Sequence, residues 1–120
     1  VIGLEPLPPE WVLIVADSAT AGHLERALTA ENLSVRVADT PDRLAQLLQL
    51  GHPAAAAVDL DLAFSAEAIT ALKARKVLMV LLSGDRQRLR QFGAVVPAGM
   101  EKPLSRRAFV RAIDGLLGRR

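Results

Sequence analysis

At 120 residues the chain suits one domain that can bury an apolar core without staples, and 51% hydrophobic against 23% charged residues excludes an intrinsically disordered composition. With no cysteine, disulfides, thiolate catalysis and cysteine-ligated zinc or iron–sulfur sites are excluded. A net charge of +2, 3% aromatics and no tyrosine leave no interleaving of basic and stacking residues, so no direct nucleic-acid partner is expected.

Residues 1–10 carry Pro6, Pro8 and Pro9, and proline removes backbone donors and disfavours helix in the residue before it. This segment reads as a proline-rich linker to something upstream, with the folded domain spanning 11–120. Trp11 to Ala16 is a short apolar run rich in β-branched residues, which predicts a strand buried on both faces. It is too short to cross a bilayer and lacks the basic flank of a signal peptide, so the domain is expected to be cytoplasmic, with no membrane partner. Ser18 or Thr20 can cap a helix running to about Asn32, with Leu24, Ala27 and Leu28 facing inward. Ser34 to Ala38 alternates as an edge strand should.

Thr40-Pro41 predicts a helix start, because threonine caps and proline at the first helical position lacks only a donor that would be unpaired anyway. Leu44, Leu47 and Leu48 form the stripe of that helix, and Gly51 closes it. Ala54 to Val58 is the next buried strand and ends at Asp59-Leu60-Asp61. Ser65 is a candidate cap for a third helix with Ile69 and Leu72 inward. Val77 to Leu82 is the most hydrophobic strand and should lie inside the sheet. Asp85 to Phe92 allows only a short basic helix, Gly93 to Met100 supplies a last strand interrupted by Pro97, and Ser105 to Leu117 a final helix. Its apolar face comprises Phe109, Ala112, Ile113, Leu116 and Leu117. The fold class predicted is α/β, a doubly wound five-stranded parallel sheet with helices on both faces, of the flavodoxin-like type.

In such a sheet ligands bind outside the carboxyl ends of the strands. Those ends deliver Asp17, Asp59, Asp61, Ser83 and, past the fifth strand, Lys102 followed by Pro103. Carboxylates suit Mg2+, which takes one or two of them and completes its shell with water and phosphate oxygens. A carboxylate also serves as nucleophile toward phosphorus, while a lysine and a hydroxyl neutralise charge on the transferring oxygens. Each residue has a plainer role as well. Asp17 and Ser83 suit caps, Lys102 could pair with Asp59 structurally, and Lys102-Pro103 could simply be a rigid turn. The Asp61 side chain is expected to face solvent. His23 and His52 read as surface residues, and Arg86, Arg88, Arg90, Arg106, Arg107 and Arg111 as solvated basic surfaces better suited to an acidic protein than to DNA.

From Trp11 onward the chain resembles the response-regulator receiver family. The residues that carry the resemblance are Leu13-Ile-Val-Ala-Asp17, Ala57-Val-Asp-Leu-Asp-Leu62, Leu82-Ser83-Gly84 and Glu101-Lys102-Pro103-Leu104, in that order. The resemblance implies Asp59 as phosphoacceptor, Mg2+ held by Asp17, Asp59 and the backbone carbonyl of Asp61, and Ser83 and Lys102 contacting the phosphoryl group. It implies a histidine kinase or phosphotransfer protein as donor, and a downstream protein, an attached domain or a second copy in a homodimer as recipient of the signal. The domain would then be a phosphoacceptor that at most assists its own phosphorylation and dephosphorylation, not an enzyme in its own right.

Ala16 replaces the first acid of the family's pair, which weakens Mg2+ binding. Gly99 stands three residues before Lys102, where an aromatic is common, and Ala63 and Phe64 follow Leu62 where proline is common. The segments joining Asp59 to Ser83 and Ser83 to Lys102 are short. These departures support a second reading, a degenerate receiver that works as an interaction or dimerisation module without phosphorylation. A third, an independent flavodoxin-like enzyme or cofactor binder, lacks a Gly-rich phosphate loop.

Overall fold

The computed structural model describes residues 10–96 and 98–118, so residues 1–9 of the linker, and Pro97, lie outside the described residues. Strand and helix alternate as β1 (Val12–Val15), α1 (Ser18–Thr29), β2 (Val35–Ala38), α2 (Pro41–Leu50), β3 (Ala55–Asp59), α3 (Ser65–Ala74), β4 (Met79–Ser83), α4 (Arg86–Phe92), β5 (Gly99–Glu101) and α5 (Arg106–Leu117). The strands form one parallel sheet in the order β2-β1-β3-β4-β5, so the chain reverses direction across the sheet between β1 and β3. That order is the flavodoxin-like one, and its ligand crevice lies at the carboxyl ends beside this reversal.

Both faces of the sheet are covered, because successive strand residues point to opposite sides. Leu13, Val15, Ala56, Val58, Met79 and Leu81 join Leu44, Leu47, Ile69 and Leu72 of α2 and α3 in one core. Val12, Ile14, Ala57, Val80 and Leu82 join Leu24 and Leu28 of α1 and Phe109 and Ile113 of α5 in the other. The alanines of β3 keep the strand thin between these two layers, which leaves room for the larger side chains of β1 and β4.

The local signals place most helix starts. Thr40 Oγ1 accepts from the Arg43 N–H at 3.1 Å, Asp85 from the Gln87 N–H at 2.9 Å, and Ser105 Oγ from the Ala108 N–H at 3.2 Å, each filling a donor left open at a helix start. Two caps differ from the sequence expectation. Asp17, not Ser18 or Thr20, caps α1, which ends at Thr29; Asn32, with φ of 62°, turns the chain beyond it. Ser65 is the first residue of α3, behind Phe64, and its hydroxyl donates to the Leu60 carbonyl at 3.3 Å.

β5 is also shorter than expected, three residues in place of Gly93 to Met100. The carbonyl of Phe92 accepts from the N–H of both Val95 and Val96, which curls this stretch into a turn and takes the donors a longer strand would need. β4 begins two residues later than expected, and Leu78 before it is exposed.

Candidate functional site

The crevice at the carboxyl ends collects the predicted polar residues. Asp59 is the last residue of β3 and pairs in register with Leu82, one residue before Ser83 at the end of β4. Beyond β5, the Lys102 N–H donates to the Ser83 carbonyl at 2.8 Å, extending the ladder and turning Lys102 into the site. The Lys102-Pro103 peptide is cis.

Asp59 is 1% exposed, and a buried carboxylate needs partners for both oxygens. Oδ2 accepts from Lys102 Nζ at 2.7 Å and Oδ1 from the Asp61 N–H at 2.9 Å. Lys102 Nζ also donates to Asp61 Oδ2 at 3.1 Å, so one ammonium bridges two carboxylates. Burial alone would lower the Lys102 pKa; the hydrogen bonds and charges of Asp59 and Asp61 outweigh it and hold the ammonium above its ordinary range.

The Asp61 carboxylate does not simply face solvent, as expected from the sequence. Oδ1 accepts from Ser83 Oγ at 2.8 Å and Arg88 Nη1 at 3.0 Å; Oδ2 accepts from the Gly84 N–H at 3.0 Å and from Lys102. Its side chain remains 34% exposed. Desolvation pushes the Asp61 carboxyl up, but the bonds from Gly84, Ser83 and Lys102 prevail and lower it to about 2. Ser83 is fully buried and accepts from the Asp85 N–H at 2.9 Å while donating to Asp61, so its hydroxyl is engaged on both sides.

Asp17 is drawn into a different task. Its Oδ1 accepts from the Thr20 N–H at 2.8 Å and Oδ2 from Thr20 Oγ1 at 3.2 Å, and these bonds lower its pKa, led by the Thr20 backbone N–H. The expected Mg2+ set therefore consists of a helix-capping Asp17, a lysine-paired Asp59 and the carbonyl of Asp61. Among the described residues no three His, Cys, Asp or Glu side chains form a metal-holding group. The donors are all oxygens and fit a hard cation that fills the rest of its octahedron with water and phosphoryl oxygens. Ala16 is buried against the α1 and α5 core and adds no oxygen.

Arg88 is the site residue that the sequence does not reveal. No motif distinguishes it from Arg86 or Arg90; only the placement of α4 sets its guanidinium on Asp61. The space above Gly99 is filled by α4 as well, since a Cβ there would lie 3.2 Å from Leu89 Cδ2. Arg86 donates to Glu101 at 2.9 Å, tying the start of α4 to the end of β5. Beside Lys102 a cleft of about 210 Å³ runs between α1 and the turn, lined by Thr20, His23, Leu24, Lys102, Pro103 and Leu104. His23 and His52 are exposed, as expected.

No protein-family model and no curated protein matches the chain. Solved structures do. A putative response regulator from Chloroflexus aurantiacus superposes with a TM-score of 0.79 at 23% identity, covering 93% of this chain and 100% of that one. A response regulator receiver domain protein from Methanospirillum hungatei gives 0.79 at 21% identity, covering 91% and 94%. The receiver domain of a sensor histidine kinase from Pseudomonas aeruginosa, with a magnesium ion coordinated in its active-site cleft, gives 0.74 at 21% identity, covering 91% and 97%. The chain thus has the receiver fold. Among the described residues no helix is long and apolar enough to cross a membrane.

Proposed function

We propose that this domain is a cytoplasmic signalling receiver that accepts a phosphoryl group on Asp59. The observation that carries the reading is the buried Asp59 paired at 2.7 Å with a partly exposed Lys102 at the carboxyl end of β3, with the Ser83 hydroxyl at the end of the neighbouring strand. A carboxylate is a nucleophile toward phosphorus, and an ammonium fixed beside it offsets charge on the transferring oxygens. A donor histidine of a kinase or phosphotransfer protein would supply the group: an Asp59 oxygen forms a bond to phosphorus as the phosphorus–nitrogen bond breaks and its electron pair returns to the imidazole. Lys102 and Ser83 would then turn toward the new phosphoryl oxygens, where fixed donors stabilise the developing charge. Mg2+, when held by Asp17, Asp59 and the Asp61 carbonyl, supplies further neutralisation of those oxygens. The domain is a phosphoacceptor and not a turnover enzyme, and its output is a changed affinity for a downstream protein, an attached domain or a second copy.

A second reading is favoured by Ala16 and by the Thr20 bonds that occupy Asp17: a receiver fold that acts as an interaction or dimerisation module without phosphorylation. The two part on phosphate incorporation from acetyl phosphate and Mg2+, measured by intact mass for wild type and Asp59→Asn. One phosphate gained by wild type and absent from Asp59→Asn supports the phosphoacceptor. Absence from both, under conditions that label an ordinary receiver, supports the interaction module.

A further inference from the structure

Four donors converge on the Asp61 carboxylate from three separate places in the fold. Ser83 Oγ and the Gly84 N–H come from the end of β4, Lys102 Nζ from the turn after β5, and Arg88 Nη1 from α4, all within 3.1 Å. A hydroxyl, a main-chain amide, an ammonium and a guanidinium around one point make a site for an oxoanion, since each donates and two are cationic. Asp61 reaches this point from a short turn, where the Leu62 N–H donates to the Asp59 carbonyl. Its neighbour Asp59 lies beneath, covered by the bridging lysine.

We propose that Asp61 is a built-in ligand of an oxoanion cradle formed by Ser83, Gly84, Arg88 and Lys102, and that a phosphate-class anion enters only by displacing it. The consequence for Asp59 rests on the phosphoacceptor reading; the occupancy of the cradle does not. A phosphoryl group on Asp59 competes with the Asp61 carboxylate for the same hydroxyl, amide and ammonium. Once displaced, Asp61 no longer holds Arg88, which exchanges the carboxylate for the incoming phosphoryl oxygens and carries α4 with it. The arrival of phosphate is thereby read by α4 through an ion pair, at a position where Gly99 offers no side chain to report it and Leu89 already fills the space.

An internal competitor lowers the apparent affinity of an external ligand by the fraction of molecules in which the site is open. If that fraction is roughly one in ten or less, removing the competitor tightens binding about tenfold or more. The test is a titration of the full chain with inorganic phosphate, without Mg2+, following the backbone amide of Gly84 and the side-chain Nε of Arg88 by NMR. Wild type, Asp61→Ala and Asp61→Asn are compared with Asp85→Asn, which removes an equal charge nearby, from a residue whose carboxylate caps α4 and stands outside the cradle. The expected result is saturable movement of both signals in Asp61→Ala at about tenfold lower phosphate than in wild type, with Asp85→Asn like wild type. Asp61→Asn, which keeps the volume and loses the charge, carries the test should the alanine variant fail to fold. Equal affinity in wild type and the Asp61 variants overturns the proposal, and so does equal tightening in Asp85→Asn, which would make the effect one of net charge.

Labelling by acetyl phosphate with Mg2+ is run in parallel. Faster gain of phosphate in Asp61→Ala than in wild type extends the proposal to Asp59. Absence of label from every variant defeats the phosphoacceptor reading, while the phosphate titration still decides whether Asp61 fills the cradle.

Discussion

The last two helices are attached to the same end of the sheet by different forces. α5 carries Phe109 and Ile113, both fully buried, against Ile14, Ala57, Val80 and Leu82. α4 has no buried residue; Leu89 and Phe92 pack only at the margin of the opposite core, and the helix is tied by Arg86 to Glu101 and by Arg88 to Asp61. Apolar burial is non-directional and accumulates with area, so α5 belongs to the cooperative core. Exposed ion pairs contribute little each and are screened by salt, so α4 is an element that can detach without unfolding the rest. The difference locates the adjustable part of the molecule at α4, the helix joined to the site by Arg88.

The largest effect should come from the firm side. Phe109→Ala removes a ring at the centre of the α1 and α5 core and should cost about 3–5 kcal/mol, read as a lower urea midpoint with the slope unchanged. Lys102→Gln comes next. It withdraws the ammonium from Asp59, which is 1% exposed and would keep the Asp61 N–H as its remaining donor, and should cost about 1–3 kcal/mol by the same measurement. A loss from Lys102→Gln as large as that from Phe109→Ala would mean that the site, like α5, is part of the core's cohesion.

Acid should separate the two regions further. Because the Asp61 carboxyl is lowered from 3.8 to about 2 in the folded chain, its contribution to stability is present above the ordinary value and is lost as pH falls toward about 2. Between pH about 5 and about 2 wild type should lose more stability than Asp61→Asn, the difference isolating this group from the other carboxylates. Equal losses would show that the four donors do not hold Asp61 in solution.

How much of this was legible depended on whether a signal is local. The alternation of apolar runs with capped helices carries the sheet, and Thr40-Pro41 is read correctly because its cap bond closes within three residues. Asp59, Ser83 and Lys102 are legible because a parallel sheet sends every strand end to one edge, and the fold brings all three within a chain of hydrogen bonds. The partners of Asp61 were not legible, since they lie 22 to 41 residues away and depend on the placement of α4 and the turn after β5. Asp17 illustrates the reverse. Its capping bonds are local, but the same residue type serves a cap and a metal, and sequence position favours neither.

The smallest effect is also the most specific to the adjustable side. Arg86→Ala removes an ion pair whose partners are 69% and 41% exposed, so the urea midpoint of the domain should stay close to that of wild type. Its effect should instead be confined to α4. The pair spans from the first residue of the helix to the last of β5, so losing it leaves the helix start to its Asp85 cap and to Arg88 alone. Amide exchange in Leu89 to Phe92 should quicken in Arg86→Ala and, in wild type, at high salt, while that of Phe109 to Ile113 should not change. Exchange that quickened equally in both helices would show that α4 opens only with the whole domain, and Arg88 would then have no separate element to carry.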